Sequence, residues 1–317
     1  MKKVLLFALS STILFSCSEE ETKIVNPDTV IKGKITNADG NSAWLESYKT
    51  EHAATATVSA SGDFEIKINL TQPACFDLVN GKARTNLCLA PGDTLNVSFD
   101  AKDIDATLRY EGKDAKLASY LADKTRKEKA MSTELMNLFN YKQDSFLLRI
   151  NEIEADFNKD IAAIKNDTTI NKQLYTWAEE ALKNEKYAFL FDYRYYHNTL
   201  ANDSILKEVP EVMEVAKDFS ANNANQLQSS SYRNALNSFV NYHAGTLLLS
   251  DTALANSTEG KEKAVWMAID KNISDATVKE FLQFNFINKN ASLAFVADEK
   301  AKFKTATKDT VYQKLLK

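Results

Sequence analysis

The sequence predicts an α+β fold, an N-terminal antiparallel β-sandwich followed by an all-helical domain. Two observations carry this. Six of the eight glycines (Gly33, Gly40, Gly62, Gly81, Gly92 and Gly112) lie in the first 112 residues, and only Gly245 and Gly260 follow; glycine punctuates hairpins. From about Asp114 the apolar period changes from two to about 3.6. The 317 residues, 44% of them hydrophobic, are enough for about two domains with real cores. The expected boundaries are 29–112 for the sandwich and 113–317 for the helical domain.

The strands follow in order. Val30–Thr36 is turned by Asn37-Ala38-Asp39-Gly40 into Ala43–Tyr48, and a Thr/Val strand over Ala54–Ala60 is turned by Ser61-Gly62-Asp63 into Phe64-Glu65-Ile66-Lys67-Ile68. Strict alternation of apolar and charged residues in the last of these marks a half-buried strand. Ala74–Asn80 and Arg84–Ala90 flank a tight turn, Pro91-Gly92-Asp93 breaks the chain before Thr94–Phe99, and Ala106–Glu111 is the last strand. About eight short strands with regular turn signals indicate a sandwich or a partly open barrel.

The clearest helix carries Phe146, Ile150, Ile153, Phe157, Ile161 and Ile164, spaced to form one apolar stripe. Further helices are expected over Lys116–Tyr141, Ile170–Leu200, Pro210–Ala244, Gly260–Lys271 and Asp275–Asn290, the last with Ser274 as N-cap. Lys124, Arg126, Lys127 and Lys129 read as a solvated helix face.

Composition excludes several chemistries. A net charge of −4 with dispersed Lys and Arg argues against a nucleic-acid partner. Three cysteines without a CxxC cannot build a zinc ribbon or a dithiol centre of that type. His52, His197 and His243 stand in unrelated contexts, no GxSxG elbow occurs, and Gly-rich phosphate loops are lacking, so no metal, cofactor or catalytic residue is expected.

Met1–Ser16 has a basic start, Lys2-Lys3, and a short apolar stretch; it reads as an export signal too short to span a bilayer. Leu14-Phe15-Ser16-Cys17 resembles a bacterial lipobox, which implies cleavage before Cys17, lipid on its sulfur, and a membrane as partner through that lipid. Ser18, Glu19, Glu20 and Glu21 open an acidic tether over 17–28. They resemble the lipoprotein export signal of the Bacteroidetes, which implies an outer-membrane location facing periplasm or cell surface. An Asp-Ser/Thr-apolar pattern recurs at Asp28, Asp93, Asp203, Asp251 and Asp309, and as Asp167-Thr168-Thr169; it resembles the O-glycosylation acceptor of the same phylum.

Two constellations remain. If Gly81-Lys82 forms the hairpin loop, Cys75 sits opposite Cys88 in a non-hydrogen-bonded pair, where a cross-strand disulfide can form; if Asn80-Gly81 forms it, Cys75 faces Asn86. The run Trp177–Tyr196 holds seven aromatic residues. Tyr187, Phe191 and Tyr195 could line a glycan or peptide groove, or the run could pack helix on helix.

The stretches Ile31-Lys32-Gly33-Lys34-Ile35, Gly62-Asp63-Phe64-Glu65-Ile66, Leu89-Ala90-Pro91-Gly92-Asp93-Thr94-Leu95-Asn96-Val97 and Val278-Lys279-Glu280-Phe281-Leu282 resemble Bacteroidetes envelope lipoproteins of the thiol:disulfide interchange, thioredoxin-like family. The resemblance implies that such regions precede a thioredoxin domain with a WCxxC centre. Lys317 falls about where that domain would begin, so no catalytic residue of the family is carried over. The expected function is a lipid-anchored, non-catalytic envelope module that binds or scaffolds a protein partner. The alternatives are the accessory region of a thiol:disulfide oxidoreductase and a surface glycan- or peptide-binding lipoprotein.

Overall fold

The computed structural model describes residues 28–50, 52–201 and 205–316. The signal segment, Cys17, the Ser18–Glu21 stretch and Ser204 lie outside them. The architecture is α+β, two four-stranded sheets followed by helices.

The strands are β1 (Thr29–Thr36), β2 (Ser42–Glu46), β3 (Ala54–Thr57), β4 (Asp63–Ile68), β5 (Ala74–Asn80), β6 (Ala83–Leu89), β7 (Thr94–Asp100) and β8 (Arg109–Gly112). One sheet has the order β4-β1-β7-β8 and the other β3-β2-β5-β6. Not every pairing is antiparallel as expected: β1 and β7 run parallel, Val30 opposite Thr94 through Thr36 opposite Asp100. Ile31, Leu45, Leu78, Leu87 and Leu95, each at most 1% exposed, fill the space between the sheets. The last strand starts later than expected because Asp103 caps a short helix, α1 (Ile104–Thr107), by accepting from Ala106 N.

The β5–β6 hairpin turns at Gly81-Lys82, with Asn80 opposite Ala83. Asn80 is unavailable for the loop because it is fully buried: its Oδ1 accepts from Asp39 N at 2.8 Å and its Nδ2 donates to Ser42 O at 2.9 Å. Gly81 has φ +56°, and a Cβ there would lie 2.1 Å from the Asp39 carboxylate, so only glycine fits. This register puts Cys75 opposite Cys88 at a Cα–Cα distance of 4.0 Å, and the two are joined as a disulfide.

Twelve helices are described: α2 (Ala115–Ala130), α3 (Ser132–Asn137), α4 (Gln143–Ala162), α5 (Lys172–Leu200), α6 (Pro210–Ala216), α7 (Ser230–Ser250), α8 (Thr252–Ala255), α9 (Gly260–Asn272), α10 (Ala276–Lys289), α11 (Ala294–Ala306) and α12 (Thr310–Leu315) follow α1. The stripe Phe146, Ile150, Ile153, Phe157 and Ile161 is buried. The expected helix Lys116–Tyr141 breaks at Met131, and Pro210–Ala244 is interrupted between α6 and α7. There Asn222 Oδ1 accepts from Ser274 N and Asp275 N, and Ser229 caps α7; side chains that satisfy backbone elsewhere compete with a continuous helix. Asp275 rather than Ser274 caps α10. Two Asp-Thr pairs from the recurring pattern also have structural roles, since Asp251 and Asp309 are the N-caps of α8 and α12.

The helices form two hydrophobic clusters. One spans α2 to α6, and the other spans α7 to α12 and admits Tyr48 from the sheet module. Among the described residues no helix is long and apolar enough to cross a membrane.

Candidate functional site

Side chains alternate across a sheet, so the β2, β5 and β6 residues that do not fill the sandwich point the other way. That outer face carries Glu46, Cys75, Asp77, Arg84, Asn86 and Cys88. Helices α2 and α5 and the first turn of α7 stand opposite it, and together they enclose a cleft of about 690 Å³. The volume lies in the range of about 300–1,000 Å³ usual for small-ligand sites.

The position of each wall is fixed locally. Asn171 caps α5 by accepting from Gln173 N and Leu174 N, which aims Leu174, Trp177, Ala178 and Ala181 along the cleft. Ser229 caps α7 through Tyr232 N, placing Ser230, Ser231 and Asn234 at the opposite end. The disulfide lies in the sheet wall, with Cys75 9% exposed and Cys88 half-buried against the first helical cluster.

The charges in these walls are largely paired within the protein. Arg84 bridges Glu46 at 2.6 Å and Asp77 at 2.7 Å. Lys129 pairs with Asp105 at 2.8 Å, and Arg126 pairs with Asp123 while donating to Asp105 O. Lys124 departs from the sequence expectation. It is not on a solvated face but 8% exposed, with Nζ 2.6 Å from Glu128 and 2.7 Å from Glu185. Burial pulls its pKa down, but Glu185 and Glu128 outweigh that and hold it above the usual lysine value. Burial, then the neighbouring Glu185 charge, pushes Glu128 up. Ser231 Oγ donates to Glu185 at 2.6 Å, closing the network onto α7.

A second polar cluster joins the sheet module to the helices. In the Pro91-Gly92-Asp93 turn, Asp93 Oδ2 accepts from Ala90 N at 2.7 Å, while Thr29 Oγ1 donates to Ala90 O and accepts from Gly92 N. Asp114, in the left-handed region at the start of α2, accepts from Asn171 N at 2.6 Å through Oδ1. Both carboxyls are at most 2% exposed, and Lys113 Nζ lies 2.6 Å from Asp93 Oδ1. Burial and the Asp93 carboxyl push Asp114 up to about 6, against the Asn171 hydrogen bond and Lys113.

The aromatic run is not one groove. Phe191 is buried against Phe219 and Phe239, Tyr187 is half-buried on Phe219, and Tyr195 is exposed beside Tyr196. Of that run only Trp177 lines the cleft. The histidines are packed separately: His197 Nδ1 bonds Phe139 O, His52 lies on Trp44, and His243 lies on Phe239. Among the described residues no group of three or more His, Cys, Asp or Glu could hold a metal ion. The cleft itself was not foreseen. Its signal in the sequence is the row of polar residues on the outward face of β5 and β6, Asp77, Arg84 and Asn86, where a sheet face open only to water would not need the Cys75–Cys88 pair.

No family, no curated protein and no solved structure matches the chain.

Proposed function

We propose that this chain is a non-catalytic binding module of the cell envelope, anchored through lipid at Cys17, and that its ligand enters the cleft between the β5–β6 face and α2, α5 and α7. The observation that carries the reading is the cleft: a cavity of about 690 Å³ walled by elements from both parts of the fold, with its charged side chains largely paired and with α5 and α7 capped by Asn171 and Ser229. Walls held in this way keep the ordering cost of binding low.

The test is a thermal-shift screen of the whole mature chain against neutral and charged sugars and short peptides, repeated with Ala181→Trp, which fills the cleft. Compounds that raise Tm in the parent lose that effect in the variant, whose circular dichroism is unchanged. Equal stabilisation of both proteins puts the ligand elsewhere and overturns the reading, as does a screen that raises Tm with nothing. The anchor is tested separately: Cys17→Ser moves the chain from the membrane fraction to the soluble one, and retention in membranes rejects the lipid.

One observation favours a second reading, the accessory region of a thiol:disulfide oxidoreductase. The Cys75–Cys88 disulfide is part of the cleft wall, where a docked partner would meet it. Cysteine-trapped mixed disulfides between a partner and Cys88 in a Cys75→Ser background support this reading, and their absence removes its basis.

A further inference from the structure

Resting on the cleft reading above, we infer that the ligand is a neutral, hydroxyl-rich molecule, a short uncharged oligosaccharide, stacked on Trp177 and held by the side chains around the first turn of α7.

The argument starts from charge. A site for an anion or cation presents an uncompensated opposite charge, because a desolvated ion needs a partner. Here Arg84, Lys124, Arg126 and Lys129 all hold carboxylates of the protein itself. The N-terminus of α7, which would otherwise favour an anion, is already occupied: Ser229 Oγ accepts from Tyr232 N, and Glu185 bonds the Ser231 hydroxyl in the first turn. Lys82 lines the cleft from the hairpin tip, exposed to solvent. Apart from Lys82 at the open tip, a charged ligand would have to break existing ion pairs to find a partner, whereas a neutral one leaves them intact.

Next comes what is left for a ligand to use. Trp177, Gln228, Ser230 and Asn234 line the cleft, and each carries a side chain able to hydrogen-bond a ligand. The amides and the hydroxyl both donate and accept, and the indole N–H donates, which matches the mixed donor–acceptor character of sugar hydroxyls. The flat, half-buried Trp177 ring supplies the apolar platform that the C–H face of a pyranose requires. A peptide fits less well. The nearest strand it could extend is β6, and α2 packs against that strand, so main-chain pairing along it is not on offer.

The test is calorimetric titration of the mature chain with a neutral trisaccharide series, a uronic-acid trisaccharide and an uncharged tripeptide amide. The neutral sugars bind with an affinity that changes less than about twofold between low and high salt. Trp177→Ala and Asn234→Ala each weaken binding by about fivefold to tenfold, and Trp177→Phe restores part of the loss. Preference for the uronic acid or the peptide, with binding abolished by Ala181→Trp, overturns the ligand class and leaves the cleft reading standing. Sugar binding that survives Ala181→Trp overturns the cleft itself. Failure of every neutral sugar to bind also overturns the inference.

Discussion

The sheet module is fastened to the helices at two seams built on opposite principles. At the first, Asp93 and Asp114 are buried carboxyls, each fixed by a backbone N–H, with Lys113 paired to Asp93. At the second, the β2–β3 loop reaches across the molecule: Tyr48 packs edge-on to Phe281, the Arg233 guanidinium lies over the Tyr48 ring, and Lys49 Nζ bonds Asp309 at 2.7 Å. The first seam joins segments close to the chain's own crossing from sheet to helix, and it concentrates buried charge. The second joins residues 260 positions apart and relies on rings. The difference teaches where the molecule is sensitive. The buried Asp114 carboxyl makes the first seam pH-dependent and firmest in acid, whereas the second is a packing contact with a partly exposed ion pair at its edge.

The largest effect is expected from Asp93→Ala. The substitution leaves the buried Ala90 N–H without its acceptor and Lys113 without its ion pair, and such losses cost about 3 kcal/mol. Urea denaturation at neutral pH measures it; a cost below about 1 kcal/mol would reduce the first seam to ordinary packing.

The pH profile sharpens the contrast. Asp114 is held up to about 6 against an ordinary 3.8, so between those values the native state binds more protons than the unfolded chain. The stabilisation is whole below about 3.8 and is lost as pH rises through about 6, amounting to about 3 kcal/mol for a shift of this size. Asp192, pushed up to about 6 by burial despite a Ser238 hydrogen bond, adds a slope of the same sign. Asp114→Asn keeps an acceptor for Asn171 N and gains a donor toward Asp93, and asparagine tolerates the left-handed backbone. The variant is expected to be more stable than the parent at pH 7.5 and to lose about half of the parent's change in stability between pH 5 and 7.5, with Asp192 keeping the rest. An unchanged slope in the variant assigns the pH dependence elsewhere.

Some of this was legible in the residues and some was not, for physical reasons. Alternation in Phe64–Ile68 and the 3.6-residue stripe from Phe146 to Ile161 report burial directly, because one buried face imposes one period. Lys124 could not be placed by period: its i,i+4 partner Glu128 is visible, but Glu185 lies 61 positions away and the Phe157 ring under its Nζ is on another helix. The hairpin register turned on Asn80, whose buried bonds to Asp39 and Ser42 come from a different turn. The Asp93–Asp114 seam unites a turn with a helix start, so its two halves looked like unrelated local signals. The aromatic run was visible, but which rings face a neighbouring helix depends on α7 and Phe219.

At the second seam, Tyr48→Ala removes a half-buried ring from the face of Phe281, with an expected cost of about 2 kcal/mol, below the range for a fully buried aromatic. The cost should be the same at pH 5 and 7.5, since no carboxyl of the first seam is touched. A strong pH dependence of this variant would merge the two seams into one unit.

The smallest effect belongs to Lys49. Burial pulls its pKa down, yet the Asp309 hydrogen bond and the neighbouring charges outweigh it and raise the value above 10.5, so the pair persists from neutral pH to strong alkali and is lost in acid only as Asp309, itself held below 3.8, takes up a proton. Its side chain keeps 28% exposure and that of Asp309 keeps 17%, so solvent screens much of the attraction. Lys49→Met keeps an apolar stem and loses the ammonium, with its ion pair and its place over the Tyr48 and Tyr312 rings. The expected cost is under about 1 kcal/mol in dilute buffer and shrinks further in about 1 M salt. If the loss exceeded 2 kcal/mol and resisted salt, the ion pair would be acting as a buried charge, and the division between a charged seam and an aromatic one would fail.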